Sequence, residues 1–304
     1  MKQSLAHVLE NFSSHGNDTA YIQHRGYRTE RWSYGKVSEI ARQFAFELRS
    51  RNIQPNENIV IWGESCAEWV AAFLGAVIYG AVVVPLDRMA SADFIRKVCD
   101  QVDPRLIIHS RNAPTVKFDA ATLYMDNLAQ IVSRHSKDTA LFGRILGSQP
   151  AEIVFTSGTT SEPKGVVITH ENIIANLQPL EAEIRKYLKY ERFVHPLRFM
   201  NLLPLSHMFG QYLGLFIPQI FGATVVFQNS MQEIGEGREN TFFKTLVDFS
   251  ACASQVRMEI LGFYLRRRTT ERNDGTFLEH PRLRCYSGIR SYGNNLPDKR
   301  ESPL

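Results

Sequence analysis

The sequence has 304 residues, of which 44% are hydrophobic, so the chain can bury a large core and is expected to hold two subdomains. Lys and Arg number 35 against 31 Asp and Glu, and these charges are spread along the chain, which gives no case for a nucleic-acid partner. The amino terminus has no apolar signal-peptide core, and the four cysteines, Cys66, Cys99, Cys252 and Cys285, form no CxxC pair. These features predict a cytoplasmic protein with reduced, isolated thiols.

The first 150 residues alternate between helical and extended patterns. The predicted helices are 33–51, 68–79 and 91–101, and the predicted strands are 58–62, 81–84, 105–109 and 122–125. Ser65 is a candidate N-cap for the second helix, and Gly80 is its expected C-cap. Asp87, at a strand end, is interpreted as a cap or turn former without a chemical role. Such βαβ repetition predicts a mostly parallel sheet covered on both faces.

Two long uncharged stretches test whether the chain crosses a membrane. The first, 69–86, contains Gly75, Gly80 and Pro85 and changes from a helical to an extended pattern midway. The second, 199–232, is divided by prolines and glycines into strand, loop, helix and strand. Both are therefore interpreted as the core of an α/β protein, and no transmembrane segment is predicted.

A loop rich in hydroxyls and glycines follows. From Ile153 to His170 the chain reads Ile-Val-Phe-Thr-Ser-Gly-Thr-Thr-Ser-Glu-Pro-Lys-Gly-Val-Val-Ile-Thr-His. Apolar runs at 153–155 and 166–168 predict strands on both sides of the loop. Glycines let backbone N–H groups face an anion, while hydroxyls add donors and a lysine adds positive charge. The candidate phosphate-binding residues are Thr156, Ser157, Gly158, Thr159, Thr160 and Lys164.

This loop has two other interpretations. Composition alone favours an ordinary polar β-hairpin. A P-loop phosphotransferase or ATPase needs a glycine, four residues and then Gly-Lys-Ser/Thr. Here the four residues after Gly158 are followed by Pro163, Lys164 and Gly165, and Pro163 disfavours the start of a helix. That phosphate-loop pattern therefore fails.

The order of these residues carries a resemblance. The run Thr156-Ser-Gly-Thr-Thr-Ser-Glu-Pro-Lys-Gly-Val166 resembles the AMP-binding motif of the acyl-adenylate-forming superfamily, which includes acyl-CoA synthetases, luciferases and the adenylation domains of peptide synthetases. Ser161 stands where that family often has glycine. Residues 79–87 are also similar to the family's second motif. The resemblance implies the N-terminal domain of the adenylate-forming fold, built from two βαβ-type subdomains.

A motif that contains a histidine lies beyond a predicted helix at 172–187. Pro204-Leu-Ser-His-Met-Phe-Gly210 is similar to the family motif whose histidine lies beside the acyl pocket and the phosphate loop. Taken alone, a histidine among apolar residues such as His207 is more often a hydrogen-bonded core residue. The resemblance makes Lys164 and His207 the candidate catalytic residues. No residue is assigned as a metal ligand.

The resemblance also implies the chemistry. A carboxylic acid would react with ATP, with Mg²⁺ sharing the charge, to give an acyl-adenylate and pyrophosphate, and CoA or an acyl carrier protein would then take the acyl group. The wording of 198–222 looks most like long-chain fatty-acyl-CoA synthetases. Apolar residues after His207 fit a fatty acid or, equally, a core helix: Leu213, Leu215, Phe216, Ile217 and Phe221.

The resemblance ends near residue 288. The expected organisation is a first α/β subdomain at 1–150, a second, incomplete subdomain at 151–288, and a disordered tail at 289–304. The family's aromatic-Gly-x-Thr-Glu motif, its ribose-binding aspartate and its catalytic lysine in a C-terminal domain have no match. The alternative to a working acyl-CoA ligase is therefore a truncated, inactive fragment that binds nucleotide weakly or pairs with a separate polypeptide.

Overall fold

The protein was analysed as a computed structural model that describes residues 4–25, 27–114, 116–135, 145–156, 162–186, 188 and 195–227. These residues form ten strands and eight α-helices. The strands are β1 (Thr19–Arg25), β2 (Arg28–Ser33), β3 (Asn58–Gly63), β4 (Val82–Asp87), β5 (Leu106–His109), β6 (Ala121–Tyr124), β7 (Pro150–Thr156), β8 (Lys164–Thr169), β9 (Arg198–Asn201) and β10 (Thr224–Phe227). The helices are α1 (Ala6–His15), α2 (Tyr34–Ser50), α3 (Ala67–Tyr79), α4 (Ala92–Val102), α5 (Leu128–Val132), α6 (His170–Arg185), α7 (Met208–Gln211) and α8 (Pro218–Phe221).

Two sheets organise the described residues. The larger has the strand order β6-β5-β3-β4-β7-β8, and the smaller has the order β2-β1-β10-β9. Every pairing is parallel except those of the two hairpins, β1–β2 and β7–β8. The predicted α/β class with mostly parallel sheets is confirmed.

Both sheets take strands from each side of residue 150. The larger sheet combines β3, β4, β5 and β6 with β7 and β8, and the smaller one pairs β1 with β10. The sheets therefore do not divide at the predicted subdomain border, and the borders at 150 and 288 stay predictions. The tail predicted at 289–304 lies outside the described residues.

Helix starts follow local capping chemistry. The hydroxyls of Ser33, Ser91 and Thr169 accept hydrogen bonds from backbone N–H groups in the first turns of α2, α4 and α6. Gly80 ends α3 in the left-handed conformation, as predicted. The predicted cap at Ser65 is wrong, because α3 begins after Cys66, whose thiol accepts the N–H of Trp69.

The core lies on both faces of the larger sheet. One apolar cluster packs β3, β4 and β5 against α1, α2, α3 and α5, and a second packs the other face against α4. The β1–β2 hairpin and α1 were not predicted, because their polar and apolar residues are mixed. No helix in the described parts of the chain is both long and apolar enough to span a membrane.

The ring of His170 joins the first and sixth helices. It is fully buried at the start of α6, and its Nδ1 accepts the N–H of Leu5 at 3.3 Å. Its Nε2 has no hydrogen-bond partner in the described structure. Burial disfavours the charged ring and lowers the pKa of His170 to about 4.

Acid should therefore destabilise the fold through His170. Between pH 6.5 and about 4 the unfolded chain binds a proton that the folded protein excludes, so the contribution of His170 to stability falls as the pH decreases through this window. The expected loss is about 3 kcal/mol at the acid end. His170→Asn keeps an acceptor without this titration and should flatten the acid limb of the melting temperature against pH. An equally steep limb in the variant would contradict the assignment.

Candidate functional site

Three parallel strands end side by side at the carboxyl edge of the larger sheet. Gly63 of β3 is level with Asp87 of β4. Val83 of β4 is level with Glu152 of β7, and from that pair both strands continue in the same direction, β4 to Asp87 and β7 to Thr156. Neighbouring strands lie about 4.8 Å apart. This carboxyl edge is the part of a parallel sheet where ligands ordinarily bind.

The predicted phosphate loop opens at this edge. Thr156 and Lys164 are Cα partners in the antiparallel β7–β8 pair, so the last residue before the loop faces the first residue of the next strand. The Lys164 side chain is exposed. The candidates Ser157, Gly158, Thr159 and Thr160 lie outside the described residues. The structure thus places the two ends of the loop, one of which carries its cation.

Close packing fixes the base of this hairpin. A Cβ atom on Gly165 would lie 2.9 Å from Cζ of Phe155 and 3.0 Å from Cγ2 of Ile153, so glycine lets these two side chains cover the strand. The carbonyl of Pro163 accepts a hydrogen bond from Nε2 of Gln101 in α4 at 3.3 Å. The residues on both sides of Lys164 are therefore anchored to the sheet and to α4.

The histidine motif, residues 204–210, is held at the same edge by two hydrogen bonds. The N–H of Leu205 donates to Oγ of Ser65 at 3.0 Å, just after β3. The hydroxyl of Ser206 donates to Oδ2 of Asp87 at 3.3 Å, at the end of β4. Oδ1 of Asp87 also accepts the N–H of Met89 at 2.7 Å, which confirms its predicted role as a turn former.

His207 follows these two anchored residues. It is exposed, which removes the interpretation of this histidine as a core residue. Its N–H donates to the carbonyl of Pro204 at 3.1 Å, and its carbonyl accepts the N–H of Gln211 at 3.0 Å. Ser206 is bonded to β4, the neighbour of β7, so the structure brings the histidine motif and the phosphate hairpin to one edge.

A glycine allows the histidine motif to fold tightly. A Cβ atom on Gly210 would lie 2.0 Å from the carbonyl oxygen of Pro204. Asn201 braces the same turn, since its Oδ1 accepts the N–H of Leu203 at 3.1 Å and its Nδ2 donates to the carbonyl of Gly210 at 3.5 Å.

Large apolar side chains are exposed around the motif. Met89, Leu202 and Phe209 are 79%, 55% and 63% exposed. The apolar run after His207 has a different role for two of its members, because Leu215 and Phe216 are fully buried in the core. The apolar surface near His207 therefore comes from residues that precede and adjoin the motif.

Some residues of this site were missed from the sequence. Ser65 and Ser206 are serines in loops, and nothing in their spacing indicates that they contact other elements. Glu152 offered a signal, since it is a carboxylate within an otherwise apolar strand. It is fully buried, and its Oε2 accepts a hydrogen bond from Nε2 of Gln211 at 2.8 Å.

Comparison with known proteins identifies the family. The pattern shared by AMP-binding enzymes matches residues 9–245. The chain belongs to the AMP-binding enzyme family. This match covers both the phosphate loop and the histidine motif, as the sequence resemblance predicted.

Relatives within the family differ in their activities. The chain is 29% identical to tyrocidine synthase 3 of Brevibacillus parabrevis over 224 residues, which cover 72% of this chain and 3% of that protein. It is 25% identical to a long-chain-fatty-acid–CoA ligase of Mus musculus over 246 residues, covering 72% of this chain and 36% of that ligase. It is 28% identical to a D-alanine–D-alanyl carrier protein ligase of Streptococcus equi subsp. equi over 148 residues, covering 48% of this chain and 28% of that ligase.

Solved structures agree on the fold. VinN in complex with 3-methylaspartate matches with a TM-score of 0.58 and 25% identity over 72% of this chain and 60% of VinN. The N-terminal subdomain of Klebsiella oxytoca NpsA with 3-hydroxybenzoyl-AMSN matches with a TM-score of 0.57 and 17% identity over 75% of this chain and 54% of that one. The fold is therefore the predicted N-terminal part of adenylate-forming enzymes, and the chain spans 54% and 60% of these two structures and at most 36% of these three curated relatives.

Gly210→Ala should displace the histidine motif, because the added methyl group meets the backbone of Pro204. Overpacking of this kind costs about 1–3 kcal/mol. We expect a lower urea midpoint and faster amide hydrogen exchange at Leu205, whose N–H bonds to Ser65. Phe209→Ala changes an exposed neighbour and serves as the control with little change in stability. An unchanged midpoint in Gly210→Ala would contradict this tight packing.

Proposed function

We propose that this chain contributes the phosphate-binding and acyl-binding part of a ligase that activates a carboxylic acid with ATP to form an acyl-adenylate. The observation that carries the proposal is the position of Lys164 and the His207 motif at one carboxyl edge. Membership of the AMP-binding enzyme family supports it. The whole enzyme's activity is part of the proposal, because the chain spans only part of its relatives.

The first step would be nucleophilic substitution at phosphorus. A carboxylate oxygen of the acid attacks the α-phosphorus of ATP, the bond to the β-phosphate oxygen breaks, and pyrophosphate leaves. Negative charge moves onto the departing pyrophosphate, so a fixed cation beside it lowers the barrier. Lys164 supplies that cation, while Thr156, Ser157, Gly158, Thr159 and Thr160 offer hydroxyl and backbone donors to the phosphates.

Mg²⁺ would enter with ATP as part of the substrate. In the described part of the chain no group of three or more His, Cys, Asp or Glu residues is placed to hold a metal ion. Mg²⁺ commonly binds through one or two carboxylates together with substrate phosphates and water.

The acid is proposed to be apolar, with a fatty acid as the first candidate. His207 would lie beside the reacting carboxylate, and the exposed Met89, Leu202 and Phe209 would contact the hydrocarbon part of the acid. In the second step a thiolate attacks the acyl carbon and AMP leaves. CoA is the proposed acceptor, as the name of the Mus musculus ligase suggests.

A second candidate function follows from the other relatives. The D-alanine–D-alanyl carrier protein ligase names an amino acid as the substrate and a carrier protein as the acceptor. A test of both functions measures exchange of labelled pyrophosphate into ATP with fatty acids and amino acids in parallel. Exchange with one class would assign the acid. Transfer of the labelled acyl group to CoA or to a carrier protein would then assign the thiol.

Lys164→Ala should slow this exchange by about 100-fold or more, since one fixed donor to developing charge is worth roughly that much. Lys186→Ala is the control. The Lys186 side chain is 66% exposed, and its removal should leave the rate unchanged. Circular dichroism would establish that both variants are folded. Equal exchange rates for Lys164→Ala and the parent protein would remove Lys164 from the site.

A further inference from the structure

Glu152 places a carboxyl group inside the larger sheet. It is fully buried in β7, four residues before Thr156, beside Val83 of β4 and Ile168 of β8. A charged carboxylate in such surroundings is costly unless a cation or several donors compensate for the lost water. Burial raises the pKa of Glu152 to about 7, and the hydrogen bond from Gln211 opposes that rise only in part.

The hydrogen bonds around Glu152 are incomplete for a charged group. Nε2 of Gln211 donates to Oε2 of Glu152 at 2.8 Å. In the described structure, Oε1 of Glu152 and Oε1 of Gln211 are both buried acceptors without a donor. A neutral carboxylic acid supplies the missing O–H donor, and acids pair with primary amides through two parallel hydrogen bonds. One proton thus satisfies two buried oxygens.

No charged group nearby offers another explanation. The titratable residues on the elements around Glu152 are Glu68 and Tyr79 of α3, Asp87 of β4, Lys164 of β8, His170, Glu171, Glu181, Glu183 and Arg185 of α6, His207 before α7 and Tyr212 after it. Within the described residues none of these hydrogen-bonds to Glu152, and burial and Gln211 alone determine the direction of its pKa shift. The carboxyl is therefore isolated from charge compensation.

We propose that Glu152 is a positioning residue: its neutral carboxylic acid holds Gln211, and through it His207, against the strand that leads to Thr156, and loss of the proton releases this contact. Gln211 is fully buried, and its N–H bonds to the carbonyl of His207 at 3.0 Å. The catalytic part of this inference rests on the proposed adenylate-forming function. The structural part does not.

The first test measures stability against pH. Between the ordinary carboxyl value near 4.5 and about 7, the unfolded chain loses a proton that folded Glu152 keeps, so the contribution of Glu152 to stability decreases as the pH rises, opposite in sign to that of His170 below pH 6.5. The variant is therefore compared with the parent at each pH. Glu152→Gln preserves a neutral partner for Gln211 and should abolish this decrease. The exposed Glu171→Gln is the matched control and should keep the parent's slope. The same slope in Glu152→Gln and the parent would overturn the neutral acid.

The second test follows the histidine motif directly. Amide hydrogen exchange of residues 205–211 is compared between the parent and Glu152→Gln at equal pH, so that the intrinsic exchange chemistry cancels. The exchange rate of the parent divided by that of Glu152→Gln should be near one at about pH 6 and should rise at least about threefold at about pH 8.5. A ratio that stays near one at both values would overturn the positioning role.

A third test covers activity and a variant that does not fold. Parent pyrophosphate exchange should fall as the pH rises through Glu152 ionisation, through kcat rather than the KM for ATP, and Glu152→Gln should lose this dependence. No exchange at any pH would count against the proposed function, while the first two tests would still decide the role of Glu152.

If Glu152→Gln is unfolded, the parent's infrared carboxylic-acid band decides: loss of this band with a midpoint near pH 7 supports the proposal, and absence of the band overturns it.

Discussion

Parallel pairing of β3, β4 and β7 is the constraint on which the site depends. Because these strands run in the same direction, with Gly63 paired to Asp87 and Val83 to Glu152, all three strands end at the same edge of the sheet. Residues far apart in sequence thereby share one edge. The β7–β8 hairpin then places Lys164 opposite Thr156 at that edge.

A second set of residues reaches this edge from the smaller sheet. The histidine motif begins three residues after β9 and is attached to the larger sheet through Ser65 and Asp87. Its far end is attached through Gln211 to Glu152. These contacts are hydrogen bonds between the segment that follows β9 of the smaller sheet and residues in or next to strands of the larger sheet. The position of His207 therefore depends on both sheets and on a buried carboxyl whose charge is sensitive to pH.

The sequence predicted the helices and strands that carry this site better than the hydrogen bonds that hold its loops. Long periodic segments such as α2 and the buried run of β4 were predicted within a few residues, because burial imposes a clear pattern on them. The loop composition and order around Lys164 also indicated the AMP-binding enzyme family, which the match over residues 9–245 confirms. The β1–β2 hairpin was missed because its residues mix polar and apolar types. Ser65 was assigned to the wrong partner, because a hydrogen bond to a residue 140 positions away leaves no local pattern.

The central claim is that ATP binds at the carboxyl edge of the larger sheet. The most direct measurement is amide hydrogen exchange of the purified protein with and without ATP and Mg²⁺, read residue by residue. The account predicts slower exchange at three places: the end of β7 near Thr156, the start of β8 near Lys164, and the His207 motif. Protection confined to the opposite edge of the larger sheet near Asn58 and Leu106, protection confined to the smaller sheet near Thr19 and Arg198, or no protection at saturating ATP would contradict this site.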